Sequence, residues 1–299
     1  MSRNPFSAIY SKINRGTNKT KLANLPKAPR IIDVELTNHC NLYCTMCPTG
    51  NGTAKREKGF MSAEVFDRIV LYCGTNNVAI RLIRWGEPML HPHLFRFIRL
   101  AKSFGIKVHM NTNGSLLDHD AIDDIINSGL DSIKFSFQGV TQDEYEEVRQ
   151  GGNFIQLCGW VKQLYTKRGK GRHPYIQVGT TVSTKDEVAI KEFHKGMDKV
   201  SDLCTVGQTQ EISNLSTSQP EAGKTPTPTC PEVYDKLSIN WDGSVSACCR
   251  DYDNLMIVGN MRKYQTIQEI WEGENILLIQ ETLAQNDHIR FPLCRRCNL

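Results

Sequence analysis

Three cysteines in the run Glu35-Leu-Thr-Asn-His-Cys40-Asn-Leu-Tyr-Cys44-Thr-Met-Cys47 have the spacing C-x3-C-x2-C. Thiolates this close together suit one compact inorganic centre. Three ligands on a four-iron cube leave one iron open to a small molecule, which points to catalysis. A structural zinc site is the competing reading. Zinc usually recruits four protein ligands as paired knuckles, and His39, adjacent to Cys40, is awkwardly placed as the fourth. A second set lies near the end of the chain. Cys230, Gly243 and Cys248 form C-x12-G-x4-C, and Cys294 and Cys297 form C-x2-C. Four thiolates close a centre with no vacancy; taken alone, this set also suits zinc.

The elements that must position these residues are legible from periodicity. Residues 31–212 alternate apolar strands with amphipathic helices in about six β-α units, which implies a parallel sheet. The first cysteine run follows the first strand, Ile31 to Thr37. Phe66, Ile69, Val70 and Cys73 lie on one helical face, and Ile122, Ile125 and Ile126 stripe another, closed by Gly129. Residues 213–229 are polar and proline-rich and read as a linker. Beyond it, Trp241-Asp-Gly243 between two short apolar runs is a hairpin signal. Thr266-Ile-Gln-Glu269 is a capping box. The expected organisation is an N-terminal arm at 1–30, a main domain at 31–212, the linker, and a small cluster domain at 230–299.

The chain has 299 residues, a net charge of +4 and eleven cysteines. Seven of these cysteines fall in metal-ligand spacings, which favours the reducing cytoplasm over a disulfide framework. Basic residues are dispersed apart from Lys19 to Arg30, read as a solvated arm, so no nucleic-acid partner is expected. No run approaches a membrane span, and none reads as a secretory signal.

The first cysteine run resembles the signature of the radical S-adenosylmethionine (SAM) superfamily, C-x3-C-x-φ-C with φ usually aromatic. Met46 stands at φ and still offers the adenine an apolar face. The resemblance implies a partial (β/α)6 TIM barrel, with reactive groups on loops at the C-terminal strand ends. It implies that Cys40, Cys44 and Cys47 hold a [4Fe–4S] cluster whose open iron is chelated by SAM. Reductive cleavage of SAM then gives a 5′-deoxyadenosyl radical that takes a hydrogen atom from substrate. Arg84-Trp-Gly-Glu-Pro88 is similar to the family's Gly-Gly-Glu-Pro motif, with Trp85 for the first glycine. It implies that Trp85, Gly86, Glu87 and Pro88 border SAM, Glu87 accepting from its amino group. Asn113 and Ser136, in strand-end loops, are candidates for the SAM ribose or carboxylate. Gln138 stands where the family often has Asp and receives no role. Arg149, in a segment resembling Tyr-x-x-x-Arg, is a candidate for the SAM carboxylate or the substrate, or else an exposed helical arginine. After such a barrel, Cys230, Cys248, Cys294 and Cys297 resemble the SPASM auxiliary-cluster module in its shortened twitch form, a small β-hairpin and helix domain. That implies a second [4Fe–4S] cluster.

Chains of this organisation look most like aminoglycoside-pathway enzymes. One class epimerises, as in the neomycin C to neomycin B inversion at C5‴, and another dehydrogenates 2-deoxy-scyllo-inosamine. Cys249 separates them. Strand alternation would turn it away from Cys248 and towards the substrate, where a thiol can return hydrogen to the opposite face of a radical. The expectation is therefore a radical epimerase of an amino-sugar substrate, with an electron donor such as flavodoxin or ferredoxin. A dehydrogenase would leave Cys249 idle. A peptide-modifying SPASM enzyme is a third reading, weakened because residues 1–30 are short for a leader-binding domain. An iron-sulfur scaffold or electron carrier is the non-catalytic one. Cys73 and Cys158 read as core, Cys204 has no assigned partner, and Asp251 and Asp253 read as solvated turn carboxylates rather than substrate contacts.

Overall fold

A computed structural model describes residues 4–13, 15–171, 173–183, 186–209, 229–263 and 266–297. Two short helices, α1 (Ser7–Ile13) and α2 (Asn18–Ala23), precede β1 (Ile31–Val34). The cysteine loop follows and includes β2 (Tyr43–Cys44). Then come α3 (Ala63–Asn76), β3 (Ala79–Leu82), α4 (Leu94–Ser103), β4 (Val108–Thr112), α5 (His119–Asn127) and β5 (Ser132–Ser136). After them come α6 (Gln142–Val148), β6 (Arg149–Gln150), α7 (Phe154–Arg168), β7 (Tyr175–Val182), α8 (Glu187–Met197) and β8 (Leu203–Gln208). The C-terminal part contributes β9 (Lys236–Ile239), β10 (Ser244–Ser246), β11 (Ile257–Asn260), α9 (Ile267–Trp271) and α10 (Glu274–Ala284). The linker reading at 213–229 falls outside the described residues except for Thr229.

Strands β1, β3, β4, β5, β7 and β8 are parallel and adjacent in that order, the (β/α)6 partial barrel expected. The period-2 alternation divides each strand. Ile32 and Val34, Ile80 and Leu82, and Ile133 and Phe135 join the core beneath the helices. Between them, Asp33, Arg81, His109 and Lys134 interact across the inner face. Helix α3 starts at the Ser62 cap and buries Val65, Phe66, Ile69, Val70 and Cys73, with Phe66 stacked on Phe97 of α4 at 4.2 Å. Gly105 and Gly129 reverse the chain after α4 and α5 at φ +72° and +78°, a conformation that glycine adopts freely.

The C-terminal part continues the same sheet. Strand β9 pairs in parallel with β1, Ile31 opposite Lys236 and Val34 opposite Ile239, and β10 and β11 extend the edge antiparallel. The Trp241-Asp-Gly243 turn joins β9 to β10 as the sequence suggested, with Gly243 at φ +81° and the Asp242 carboxylate accepting from Ser244 N. The Thr266 capping box is present.

The N-terminal stretch is not a solvated arm. Phe6, just before α1, and Ile13 at its end are 1% exposed and cluster with Ile31 and Ala79, closing the N-terminal end of the barrel. Helix α2 docks on α10. Asn18 donates to the Leu283 carbonyl at 3.1 Å and accepts from Cys230 N at 2.8 Å, and Lys21 donates to the Cys230 carbonyl. Counting charges missed this, because Lys21 and Arg30 lie partly buried and deliver their tips to the Cys230 carbonyl and to Asp235. Among the described residues, no helix is long and apolar enough to cross a membrane.

The docking of α2 makes a measurable prediction. Asn18→Ala strands a buried N–H and a buried carbonyl and should lower stability by about 1–3 kcal/mol in urea unfolding. Iron content should fall with it, since Asn18 holds the backbone of Cys230. An unchanged midpoint and unchanged iron would refute this role.

Candidate active site

The cysteine loop wraps on itself before it meets the rest of the site. Cys47 N donates to the Cys44 carbonyl at 3.1 Å and Asn51 N to the Cys47 carbonyl at 2.9 Å. A Cβ at Gly50 would lie 2.5 Å from Cys44 N, so glycine alone permits the return. The loop is then tied laterally. Strand β2 pairs antiparallel with β6, Tyr43 opposite Gln150 and Cys44 opposite Arg149. This two-residue ladder carries no periodic signal, and the sequence did not reveal it. It removes Arg149 from the helix surface and brings its guanidinium against Cys44 and Glu87.

Cys40, Cys44 and Cys47 share one cavity of about 200 Å³ with Met46, Trp85, Gly86, Glu87, Asn113, Ser136 and Arg149. Of the residues expected to border SAM, Pro88 alone is not on its wall; it is buried and opens a short 3-10 turn behind Glu87. Gly86 is pressed against the loop preceding Cys40. A Cβ there would lie 2.1 Å from the Thr37 carbonyl, and the next amide, Glu87 N, donates to the His39 carbonyl at 2.8 Å. The His39 ring stacks on Phe60 at 4.8 Å.

Two side chains have different employment from that expected. Glu87 is 2% exposed, and its carboxylate accepts from Met89 N, Thr112 Oγ1 and Asn113 N at 2.7–3.0 Å. It therefore organises the end of β4 rather than presenting a free acceptor. Burial pushes it above the ordinary carboxylate range, and those bonds and Arg149 oppose the rise. Asn113 bridges loops. Its amide donates to Asn41 Oδ1 and lies 3.9 Å from the Cys40 Sγ, while its carbonyl accepts from Ser115. Three buried nitrogens around the cavity, Trp85 Nε1, Arg84 Nε and Arg149 Nε, have no hydrogen-bond partner in the protein. Polar atoms orphaned on a cavity wall fit a polar ligand carrying acceptors.

The donor chemistry fits an iron-sulfur cluster. Sulfurs around one zinc ion lie about 3.8 Å apart, given the 2.3 Å bond and tetrahedral angles. Among the described residues, three potential ligand atoms come within 4.8 Å of one another only at His194, Asp198 and Cys204, on the opposite sheet edge. Neither cysteine set is drawn in tightly enough for a mononuclear ion. Burial pushes the Cys40 thiol up to about 11 and the Cys230 and Cys294 thiols up to about 12. A cationic centre would offset the cost of holding thiolates in these dry positions. The second set is gathered as the spacing suggested: Cys230 interacts with Cys248, Cys294 and Cys297.

Cys249 requires a correction. Residues 248 and 249 follow β10 in a turn, so strand alternation does not apply to them. The two thiols hydrogen-bond to each other, and Cys249 is not on the cavity wall. Its turn nevertheless packs against that wall. Arg84 donates to the carbonyls of Cys248 and Asp251 at 3.0 and 2.8 Å, and Tyr252 meets Trp85 edge-on at 5.6 Å. Asp251 is fully buried, accepting from Ser246, Leu255 and Met256, so it is neither solvated nor a substrate contact. Asp253 accepts from Lys55 N at 2.8 Å.

Glu35, unflagged by the sequence, joins these parts. Its carboxylate takes both terminal nitrogens of Arg56 at 2.7 and 2.8 Å and lies 4.0 Å from Arg84 Nε. Arg56 also donates to the Tyr252 carbonyl, as Arg84 does to its neighbours. Arg84 adopts φ +134°, a conformation disfavoured for a side-chain-bearing residue and held here by those bonds.

Glu35→Gln leaves a buried arginine without its countercharge and should cost about 3–5 kcal/mol in urea unfolding. A loss under 1 kcal/mol would remove Glu35 from this role. Gly86→Ala forces the cysteine loop outward at a cost of about 1–3 kcal/mol. It should weaken SAM binding in equilibrium dialysis while the helical circular dichroism persists, and unaltered SAM affinity would contradict the close approach.

Comparison with known proteins agrees with this geometry. Residues 34–172 match the radical SAM superfamily and residues 230–298 match SPASM, an iron-sulfur cluster-binding domain. The AdoMet-dependent heme synthase of Methanosarcina barkeri is 26% identical over 61% of this chain, which spans about half that protein's length (50%). The S-adenosyl-L-methionine-dependent 2-deoxy-scyllo-inosamine dehydrogenase of Niallia circulans is 23% identical over 90% of this chain and 92% of its own. Among solved structures, BtrN in complex with AdoMet and 2-DOIA superposes with a TM-score of 0.62 at 16% identity, covering 90% of this chain and 93% of that one. Native anSMEcpe with bound AdoMet superposes with a TM-score of 0.66 at 15% identity, covering 89% and 88%. A partial barrel with an open-cornered thiol triad, extended along its sheet edge by a second thiol set, places this chain in the radical SAM superfamily, with a C-terminal SPASM domain and the SAM and iron-sulfur clusters those domains bind.

Proposed function

We propose that this protein is a radical SAM epimerase. In this reading it inverts a carbon stereocentre of a small hydroxylated ring, of the amino-sugar or aminocyclitol class. Cys40, Cys44 and Cys47 would hold the SAM-binding cluster, and Cys230, Cys248, Cys294 and Cys297 the auxiliary one. When bound, SAM and its cluster supply the radical that removes a hydrogen atom. The chain's own contribution is to hold, orient and finish. Arg149 would meet the SAM carboxylate, and Met46 and Trp85 would shield the cavity they line from water. Cys249 would then return one hydrogen atom to the carbon that lost one. The sulfur is restored by one electron and one proton, the electron arriving from a ferredoxin- or flavodoxin-like donor.

The observation supporting this reading is the docking of the Cys249 turn on the cavity wall through Arg84 and Trp85. Cys249 is a fifth thiol beside a set already complete with four. The reading requires the Cys249 side chain to leave Cys248 and turn towards the cavity. Dehydrogenation is the second reading, favoured by similarity to the Niallia circulans dehydrogenase along 90% of this chain. There the auxiliary cluster would accept the substrate's electron and Cys249 would take no part.

Turnover in deuterated water separates the two, using a panel of amino sugars, aminocyclitols and sugar acids. Epimerisation predicts a single solvent deuterium at the inverted carbon, with the substrate's mass otherwise conserved. Cys249→Ala should still release 5′-deoxyadenosine but form no inverted product. A product lighter by two hydrogens, formed equally by Cys249→Ala, would replace epimerisation with dehydrogenation.

A further inference from the structure

The inner face of the barrel holds a cation that neither the fold nor the cysteine chemistry uses. Ser132, Lys134 and Ser136 alternate on β5 with the core residues Ile133 and Phe135, so all three point inward. Ser136 stands on the SAM cavity wall, and Lys134 lies one pleat below it, about 7 Å along the strand. Its register neighbours are Asn111 on β4, itself on the cavity wall, and Gln177 on β7. The route to that position is built in. A Cβ at Gly179 would lie 2.1 Å from Lys134 Cε, so the absent side chain leaves the space that the lysine stem occupies. Below it, the barrel is closed by α1 and by Phe6 just before it, whose ring lies 5.8 Å from His109.

Among the described residues, the other charges on this inner face and beside it are matched or absent. Arg81 forms a two-pronged pair with Asp33 at 2.6 Å, and Arg56 does so with Glu35, beside which Arg84 also lies. Lys236 is paired with Glu232 at 2.6 Å. His109 is held between Ser132 and Asn111, and burial pushes it down to about 4, so it stays neutral. Lys134 makes no hydrogen bond or ion pair among the described residues. Burial and the nearby Arg81 push its ammonium below the usual lysine range, and no acid opposes them. A partly buried ammonium without a countercharge is costly, and it focuses a positive potential into the cavity above.

We propose that Lys134 binds an anionic group of the substrate, a phosphate or a carboxylate carried by the hydroxylated ring. This deepens the proposed function and rests on it for the ring, while changing the substrate's charge. A purely cationic aminoglycoside would set ammonium groups against Lys134 and Arg81. A phosphorylated or carboxylated sugar would supply the missing countercharge, and a lysine ammonium suits either as a point-charge donor.

Calorimetric titration of the reconstituted, SAM-loaded protein tests this. The probes are glucose 1-phosphate, glucuronate, glucose and glucosamine. At least one anionic sugar should bind the wild type at least tenfold more tightly than glucose or glucosamine, and which one binds identifies the anion. Lys134→Gln should remove that preference, and Lys134→Arg should restore part of it. Gly179→Ala keeps the charge but obstructs the lysine stem, and should weaken the same titration. Failure of both anions to bind the wild type, stronger binding of glucosamine, or an undiminished preference in folded Lys134→Gln would overturn the proposal. So would normal anion binding by Gly179→Ala if Lys134→Gln does not fold. Release of 5′-deoxyadenosine by the reduced wild type is measured separately. Wild type that binds the anion but never cleaves SAM counts against the radical reading alone, and wild type that cleaves SAM but ignores both anions counts against this proposal alone.

Discussion

The carboxylate of Glu35 holds the working parts of this molecule in register. It sits at the end of β1, fully enclosed, five residues before the first cysteine of the triad. Two arginines converge on it from different segments, Arg56 from the loop after the cysteines and Arg84 from the turn after β3. Both then reach on to backbone carbonyls of the 248–252 turn. One buried anion thereby fixes the triad loop, the Gly86-Glu87 turn and the edge of the auxiliary thiol set. Desolvating three charges is expensive, and such a group is tolerated because the Arg56 nitrogens and both terminal nitrogens of Arg84 find acceptors. The stability gained is modest. What the arrangement secures is relative position, which a site assembled from separate loops otherwise lacks.

The interior of the barrel repeats this logic with one exception. Asp33 with Arg81 and Glu232 with Lys236 neutralise the lower part, and His109 stays uncharged. The parallel strands bring these side chains together because alternate residues of adjacent strands face the same way. Among the described residues, local neutrality fails at Lys134 beneath Ser136, beside the cavity where a ligand is expected. In a dry, enclosed space an unmatched charge marks what is missing more clearly than a matched one marks what is present.

Much of the fold could be read from the sequence. The helices that pack on the sheet carry their apolar stripe at helical spacing, as Phe66, Ile69, Val70 and Cys73 do, and the glycines after α4 and α5 end them where a left-handed residue is needed. The triad was legible from its spacing, the hairpin at Trp241-Asp-Gly243 from its turn residues, and Gly86 from the resemblance of its segment to a family motif. What escaped depends on partners distant in sequence. The β2–β6 ladder is two residues long and has no period to detect. Glu35 looks like any strand-end acid until Arg56 and Arg84 arrive beside it. The N-terminal helices seemed solvated because charge was counted by residue, whereas burial acts on stems and tips separately. Cys249 was misplaced by extending β10 through a turn that begins before it, and Asp251 by supposing that turn open to water.

The shared sheet also limits how the two cysteine sets can work together. A tethered domain could swing towards the barrel or away from it. Here β9 is hydrogen-bonded along β1 from Ile31 to Val34, the strand that launches the triad loop. Parting the two would break that ladder and expose the buried faces of Leu237 and Ile239. Opening and closing by such motion is therefore disfavoured, and the separation between the sets is a property of the strand register. In the proposed reading, the choice between returning hydrogen and withdrawing an electron would then fall to small displacements, such as the rotamer of Cys249 and the seat of a ring above Lys134. On that reading, a single substitution at either residue would change the outcome while leaving the β1–β9 ladder intact.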